Sequence, residues 1–306
     1  MKCFPAFAML LLLSPAGAQT TLHVETKLVA ITAVVRNKQG ELLPGLTKDD
    51  FVLKEDGKLQ TIRYFSQDND LPLQLGLMVD TSGSERDYLD EEVSASETFF
   101  ATMITRPEDK AFLVQFDDNI LLKQYLTASI PALRQGLLRL YEPHEMGPNG
   151  PGTHLYDAIV GTTQTLTRFM KGRRALVILS DGDDYGSTRT LSDAVEWAQL
   201  SDTTIYTVLY GRDDSPFYFG KHAPIQSGHG VMQFLATSTG GRFFKVSRKQ
   251  PIEAIYAEIA KELRSQYRIG YTPPPSAAMT FHRIELRSKK KHVDVQARTG
   301  YLTLPQ

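Results

Sequence analysis

Leu73-Gln-Leu-Gly-Leu-Met-Val79 runs directly into Asp80-Thr-Ser-Gly-Ser84, and this stretch decides the fold. A near-continuous apolar run of that length fits a strand buried on both faces of a parallel sheet. Arg174–Leu179 and Thr204–Leu209 have the same character. Helical pattern lies between and after them: from the 73–84 stretch to about Ile104, then Ile130–Leu140, Leu155–Met170, Leu191–Leu200, Val231–Thr237 and Ile252–Ser265. Two further strands are read at Ala111–Phe116 and Arg242–Val246, and Asp117-Asp-Asn119 turns the first into Ile120–Leu126. Strands alternating with helices predict an α/β domain with a doubly wound, mostly parallel sheet over residues 72–268.

The flanks have another rhythm. Leu22–Arg36 alternates apolar and polar residues, read on Val24, Leu28, Ala30, Thr32 and Val34, and ends at the turn Asn37-Lys-Gln-Gly40. Leu42–Leu46, Phe51–Lys54 and Gln60–Ser66 follow as short strands, with Glu55-Asp-Gly57 as a turn. These make half of a β-sandwich. The other half is expected from Tyr267–Tyr271, Phe281–Ser288 and Val293–Thr303, so that segments 19–71 and 269–306 pair as one small β-domain.

Composition narrows the chemistry. The 306 residues carry 34 Lys+Arg, 35 Asp+Glu and one cysteine. The near-zero net charge argues against a generally basic nucleic-acid binder. One cysteine builds neither a disulfide framework nor a multi-cysteine zinc site. That residue, Cys3, falls inside an export signal: Lys2, the apolar core Ala6–Leu13, then Ser14-Pro-Ala-Gly-Ala18 ending small-x-small. The apolar run is shorter than the roughly 20 residues that span a bilayer. Cleavage is expected after Ala18, so residues 1–18 leave with the cysteine and a secreted or periplasmic chain without stable membrane insertion remains.

In an open α/β sheet, ligands bind beyond the carboxyl ends of the strands. After the first buried strand come Asp80, Ser82 and Ser84; after the second, Ser180-Asp181-Gly-Asp-Asp184; between them, Gly152-Thr153-His-Leu-Tyr-Asp157 enters a helix. Carboxylate and hydroxyl oxygens suit a hard cation such as Mg²⁺. If Ser82, Ser84 and Thr153 bind it directly while Asp80 and Asp181 act through water, the ion keeps much of its positive character. An acidic group of a partner can then fill an open position.

These residues carry a resemblance. The order Asp80-x-Ser82-x-Ser84, Thr153 and Leu-Ser-Asp181-Gly resembles the von Willebrand factor A domain with its metal-ion-dependent adhesion site. Gly152-Thr-x-Leu-Tyr-Asp-Ala158 and the flanking Gly45-Leu-Thr-Lys-Asp-Asp50-Phe, Glu55-Asp-Gly57 and Arg298-Thr-Gly-Tyr301 look like the bacterial secreted subgroup of that family. The resemblance implies that the serines and the threonine ligate Mg²⁺ or Mn²⁺ and that the aspartates orient bound water. His154, directly after the threonine, departs from the pattern at a place where it can alter access to the ion.

Other motifs weigh less. Ser288-Lys-Lys-Lys291 formally matches a Ser-x-x-Lys nucleophile but sits in an expected strand, where lysines protect an edge. Gly228-His-Gly230 lacks the third glycine and preceding strand of a dinucleotide fingerprint. His144, His154, His222 and His229 lie in or near loops without zinc-ligand spacing. The loops Glu142–Gly152 and Arg212–Gly230, the latter with Phe217, Tyr218 and Phe219, are expected on the rim of the site.

The sequence therefore points to an exported, non-enzymatic module that binds a protein or peptide presenting Asp or Glu through a Mg²⁺ or Mn²⁺ ion. A structural envelope component whose metal only stiffens loops, a chelatase-like subunit and a metal-dependent hydrolase are the alternatives. Export counts against the chelatase reading, and no general base stands near the motif for the hydrolase.

Overall fold

A computed structural model describes residues 28–67, 71–85, 87–142, 152–210, 227–273 and 280–303. The expected export signal, His144, His222 and Phe217–Phe219 lie outside these residues, as does most of both rim loops.

Along the chain, the amino-terminal flank contributes β1 (Val29–Asn37), β2 (Phe51–Glu55), β3 (Lys58–Gln60) and β4 (Tyr64–Ser66). The α/β domain follows with β5 (Leu73–Asp80), α1 (Leu89–Met103), β6 (Lys110–Phe116), β7 (Ile120–Thr127), α2 (Ile130–Leu138), α3 (Leu155–Thr165), β8 (Arg173–Ser180), α4 (Leu191–Leu200), β9 (Thr203–Leu209), α5 (Gly228–Thr239), β10 (Phe243–Lys245) and α6 (Ile252–Arg264). The carboxyl-terminal flank supplies β11 (Tyr267–Tyr271), β12 (Phe281–Ser288), β13 (Val293–Ala297) and β14 (Gly300–Leu302).

The central sheet has the order β10-β9-β8-β5-β6-β7 and is parallel except at the β6–β7 hairpin. Every residue of β5 is buried, as an apolar run flanked by strands on both sides requires. One face packs Leu75, Leu77 and Val79 on α1, α2 and α6; the other packs Met78, Leu176 and Ile178 on α3, α4 and α5. From β5 the chain runs outward through β6 and β7, then crosses back to β8 on the other side of β5, so the sheet order reverses there and opens a crevice at the strand's carboxyl end.

The small domain is a two-sheet sandwich made from both chain ends, with orders β13-β1-β11-β4 and β14-β12-β2-β3. Its core includes Ile31, Val35, Leu53 and Ile269, with Phe51, Phe65 and Tyr267 in mutual ring contact at 5.6–5.7 Å. The alternation read along β1 is out of phase: Val29, Ile31, Ala33 and Val35 are the core positions, Ala30 and Thr32 are only half-buried, and Val34 and Arg36 are covered as well. Arg36 pairs with Glu262 on α6, and Arg242 holds the same carboxylate at 3.0 Å. The outer face of β1 is thus a domain contact and not a solvated surface.

Several boundaries differ from the sequence reading. Leu42–Leu46 forms no strand; Leu42 alone bridges to Arg36. Val293–Thr303 splits into β13 and β14, which belong to different sheets. Gly228–Gly230, read as loop, opens α5, where the Ser227 hydroxyl accepts the Gly230 N–H at 3.2 Å. No helix among the described residues is long and apolar enough to cross a membrane.

Candidate functional site

The crevice lies where β5, β6 and β8 end side by side. Asp80, the last residue of β5, is fully buried. Its Oδ1 accepts the Ser82 N–H at 2.9 Å and its Oδ2 accepts the Ser180 hydroxyl from β8 at 2.7 Å. These bonds fold the turn so that the Ser82 and Ser84 hydroxyls lie 3.2 Å apart. Ser84 Oγ donates to Asp181 Oδ2 at 2.8 Å, while Asp181 Oδ1 accepts the Asp183 N–H at 3.0 Å. Asp80, Ser82, Ser84 and Asp181 therefore form one hydrogen-bonded group.

Thr153 is placed on the same rim by its backbone. It exchanges two hydrogen bonds with Tyr185, 2.9 Å each way, which fastens the loop before α3 to the loop after β8. Among the described residues, no hydrogen bond links its hydroxyl to the other four members of the set.

Behind this rim stands Asp117, at the end of β6. Its Oδ1 takes the Asn119 N–H of the expected turn, but its Oδ2 also accepts the Thr81 hydroxyl at 2.6 Å and its carbonyl accepts the His154 N–H at 2.9 Å. One residue thereby ties the serine loop to the Thr153 loop. A sequence reading of Asp117 as a turn residue accounts for only one of these contacts.

His154 is packed among the loops of the site. It is buried, and its ring lies between two glycines: a Cβ on Gly186 would sit 2.6 Å from its Nε2, and one on Gly152 3.0 Å from the same atom. The Gly228 end of α5 is equally close, since a Cβ there would lie 2.0 Å from the Asp181 carbonyl. Gly182 complements it with φ +80°, a conformation that favours glycine. The Gly228-His-Gly230 motif thus serves a close backbone approach. His229 packs on the Phe243 ring at 4.5 Å, and Ser288 accepts the Lys290 N–H in a turn.

The electrostatics are one-sided. Burial pushes Asp80 up to about 7, with the Asp181 carboxylate adding to the rise. Glu85, which follows Ser84, is only 1% exposed and neither of its carboxylate oxygens has a hydrogen-bond partner. Burial, then Asp181, Asp80 and Asp183, push it to about 8. Glu92 on α1 is equally buried and unpartnered; burial first, then Glu85 and Asp80, holds it well above the usual carboxylate range. Neither glutamate stands out in the sequence as a site residue. Glu85 adjoins the motif, which is the only signal available, and the inward turn of Glu92 depends on how α1 docks.

This donor set fits a hard cation. It offers neutral hydroxyls beside carboxylates, and the neighbouring charges that raise Glu85 are the carboxylates of Asp181, Asp80 and Asp183, so a positive ion would relieve the mutual repulsion.

Residues 75–183 match the family model of the von Willebrand factor type A domain. That span runs from β5 to the loop after β8 and includes Asp80, Ser82, Ser84, Thr153 and Asp181. Over that span the chain is similar to the von Willebrand factor type A domain. Among solved structures, it is similar to the conserved hypothetical protein BatB from Bacteroides thetaiotaomicron, at 15% identity over 62% of this chain and 97% of that chain, TM-score 0.48. It is similar to the vWF domain of the type V pili tip protein Mfa5 from Porphyromonas gingivalis, at 13% identity over 62% and 94% of the two chains, TM-score 0.48. A von Willebrand factor type A protein from Catenulispora acidiphila is 12% identical over 91% of this chain and 72% of its own, TM-score 0.48. No curated protein matches the sequence.

Proposed function

We propose that the crevice holds one Mg²⁺ or Mn²⁺ ion and that the exported protein uses this ion to bind an acidic side chain of a protein or peptide partner. Ser82, Ser84 and Thr153 would hold the ion directly, with Asp80 and Asp181 acting through bound water. The ion supplies a positive coordination position for a carboxylate. The residues of the chain do the rest: Asp80 fixes the serine turn, Asp117 holds the serine and threonine loops together, and buried Glu85 adds negative charge behind the hydroxyls.

The observation that carries this reading is the hydrogen-bonded grouping of Asp80, Ser82, Ser84 and Asp181 at the sheet's switch point, beside unpartnered buried carboxylate oxygens. Backbone and side-chain hydrogen bonds already fasten these loops, which weakens the reading of the ion as a mere stiffener. A pull-down from an envelope fraction is expected to recover a partner with wild type in Mg²⁺. The partner should be lost in chelator and with Ser82→Ala. A partner retained in chelator and by the variant would contradict the proposal.

A further inference from the structure

The β-sandwich contains a second convergence of ligand-type atoms, about which the crevice says nothing. Glu55 ends β2 and Asp56 begins the β2–β3 turn with φ +48°. His282 lies on β12, which pairs with β2 on one side and β14 on the other. Its Nδ1 is 2.8 Å from Asp56 Oδ2 and 3.3 Å from Glu55 Oε1, and one ligand atom from each of the three residues lies within 4.8 Å of the others.

The surroundings hold these groups in place. The Arg283 N–H donates to Asp56 Oδ1 at 2.9 Å, the Tyr301 hydroxyl donates to Glu55 Oε1 at 2.6 Å, and the Tyr301 ring stacks on His282 at 5.2 Å. What they leave over is His282 Nε2 and Glu55 Oε2. The Glu55 side chain is 2% exposed, and this oxygen has no hydrogen-bond partner. Among the described residues, no lysine or arginine pairs with Glu55. A buried carboxylate oxygen without a partner beside an imidazole is costly unless something positive meets it.

We propose that Glu55, Asp56 and His282 form a second divalent-metal site, of the zinc class, that clips the two ends of the chain together. Imidazole with two carboxylates suits Zn²⁺ better than Mg²⁺ or Ca²⁺, which prefer oxygen alone. Ligands about 2.1 Å from a tetrahedral zinc stand roughly 3.4 Å from one another, so the observed separations need only small adjustments. The ion would join β2 from the amino-terminal flank to β12 from the carboxyl-terminal flank.

Zinc titration calorimetry in excess Mg²⁺ tests this on the full chain, using wild type, Asp80→Ala, Glu55→Gln and His282→Gln. Glu55→Gln keeps shape and an acceptor for Tyr301, so loss of binding in it cannot be assigned to unfolding; circular dichroism verifies the fold of each variant. Wild type and Asp80→Ala are expected to bind one Zn²⁺ per chain with equal affinity. Glu55→Gln and His282→Gln should each bind at least tenfold more weakly, and Co²⁺ in wild type should give the visible absorption of a four-coordinate site. Absence of Zn²⁺ binding in wild type, or unchanged affinity in both sandwich variants, overturns the proposal. Loss of binding in Asp80→Ala alone would assign the zinc to the crevice and overturn it equally.

Discussion

Thr81 and Asp117, which follow the neighbouring strands β5 and β6, are joined by a 2.6 Å hydrogen bond beneath the serine turn. Because the Asp117 carbonyl also holds the His154 N–H, this pair connects the loop of Ser82 and Ser84 to the loop of Thr153. Asp117→Ala removes an acceptor that is buried and used at both oxygens. A stability loss of about 1–3 kcal/mol is expected, from the hydroxyl and amide left without partners. Metal affinity should fall by about 10–100-fold, as when supporting groups around a metal site are removed. Chemical denaturation and metal titration measure the two effects; an unchanged metal affinity would reduce Asp117 to a turn residue.

The buried carboxylates set a pH dependence for the metal-free protein. Asp80 is raised to about 7 and Glu85 to about 8, so the folded state holds protons there that the unfolded chain releases near 4. Where the folded state binds more protons, stability falls as pH rises. Melting temperature without metal should therefore decline from about pH 5 to about pH 8, and Glu85→Gln should flatten that decline. Saturating Mg²⁺ should flatten it too. A melting temperature that rises with pH over this interval would contradict the assignment.

The same protons compete with the ion. Mg²⁺ affinity is expected to increase between about pH 6 and about pH 8, as Asp80 and Glu85 ionise. Calorimetry in buffers of different ionisation enthalpy should detect proton release on binding; identical heats across buffers would argue against it.

Two glycines give a matched steric test. Gly228→Ala places a methyl group 2.0 Å from the Asp181 carbonyl and should cost about 1–3 kcal/mol while weakening metal binding. Gly161, inside α3, has open space around the added carbon. Gly161→Ala should be stabilising by about 0.5–1 kcal/mol with metal affinity unchanged. Equal effects of the two changes would remove the case for a tight crossing at Asp181.

The sandwich is tied to the α/β domain through Glu262, held by Arg36 and Arg242. Glu262→Ala strands a buried guanidinium and is expected to destabilise by about 3–5 kcal/mol. Urea unfolding measures it, and a loss below about 1 kcal/mol would mean that the domains dock by apolar contact alone.

The doubly wound sheet was legible because β5, β8 and β9 are buried on both faces and so read as apolar runs in the chain itself. The sandwich from both chain ends was legible from short strands at each end that had no partners nearby. Features set by the docking of distant segments were not. The covered outer face of β1 depends on α6, the burial of Glu92 on how α1 meets the sheet, and the burial of His154 on Gly186, 32 positions away. At the crevice, the grouping of Asp80 with Ser82, Ser84 and Asp181 follows from a sequence rule about strand ends. Asp117 and Glu85 were hidden because a turn residue and a surface-type charge look the same whether or not tertiary structure encloses them.

The central claim is that this group of oxygens holds a divalent cation. Titration calorimetry with Mg²⁺, and separately with Mn²⁺, on wild type and Asp80→Ala tests it most directly. Saturable binding by wild type and its loss in a folded Asp80→Ala variant is the result the proposed site requires. Equal binding by both proteins, or none by wild type, would contradict it.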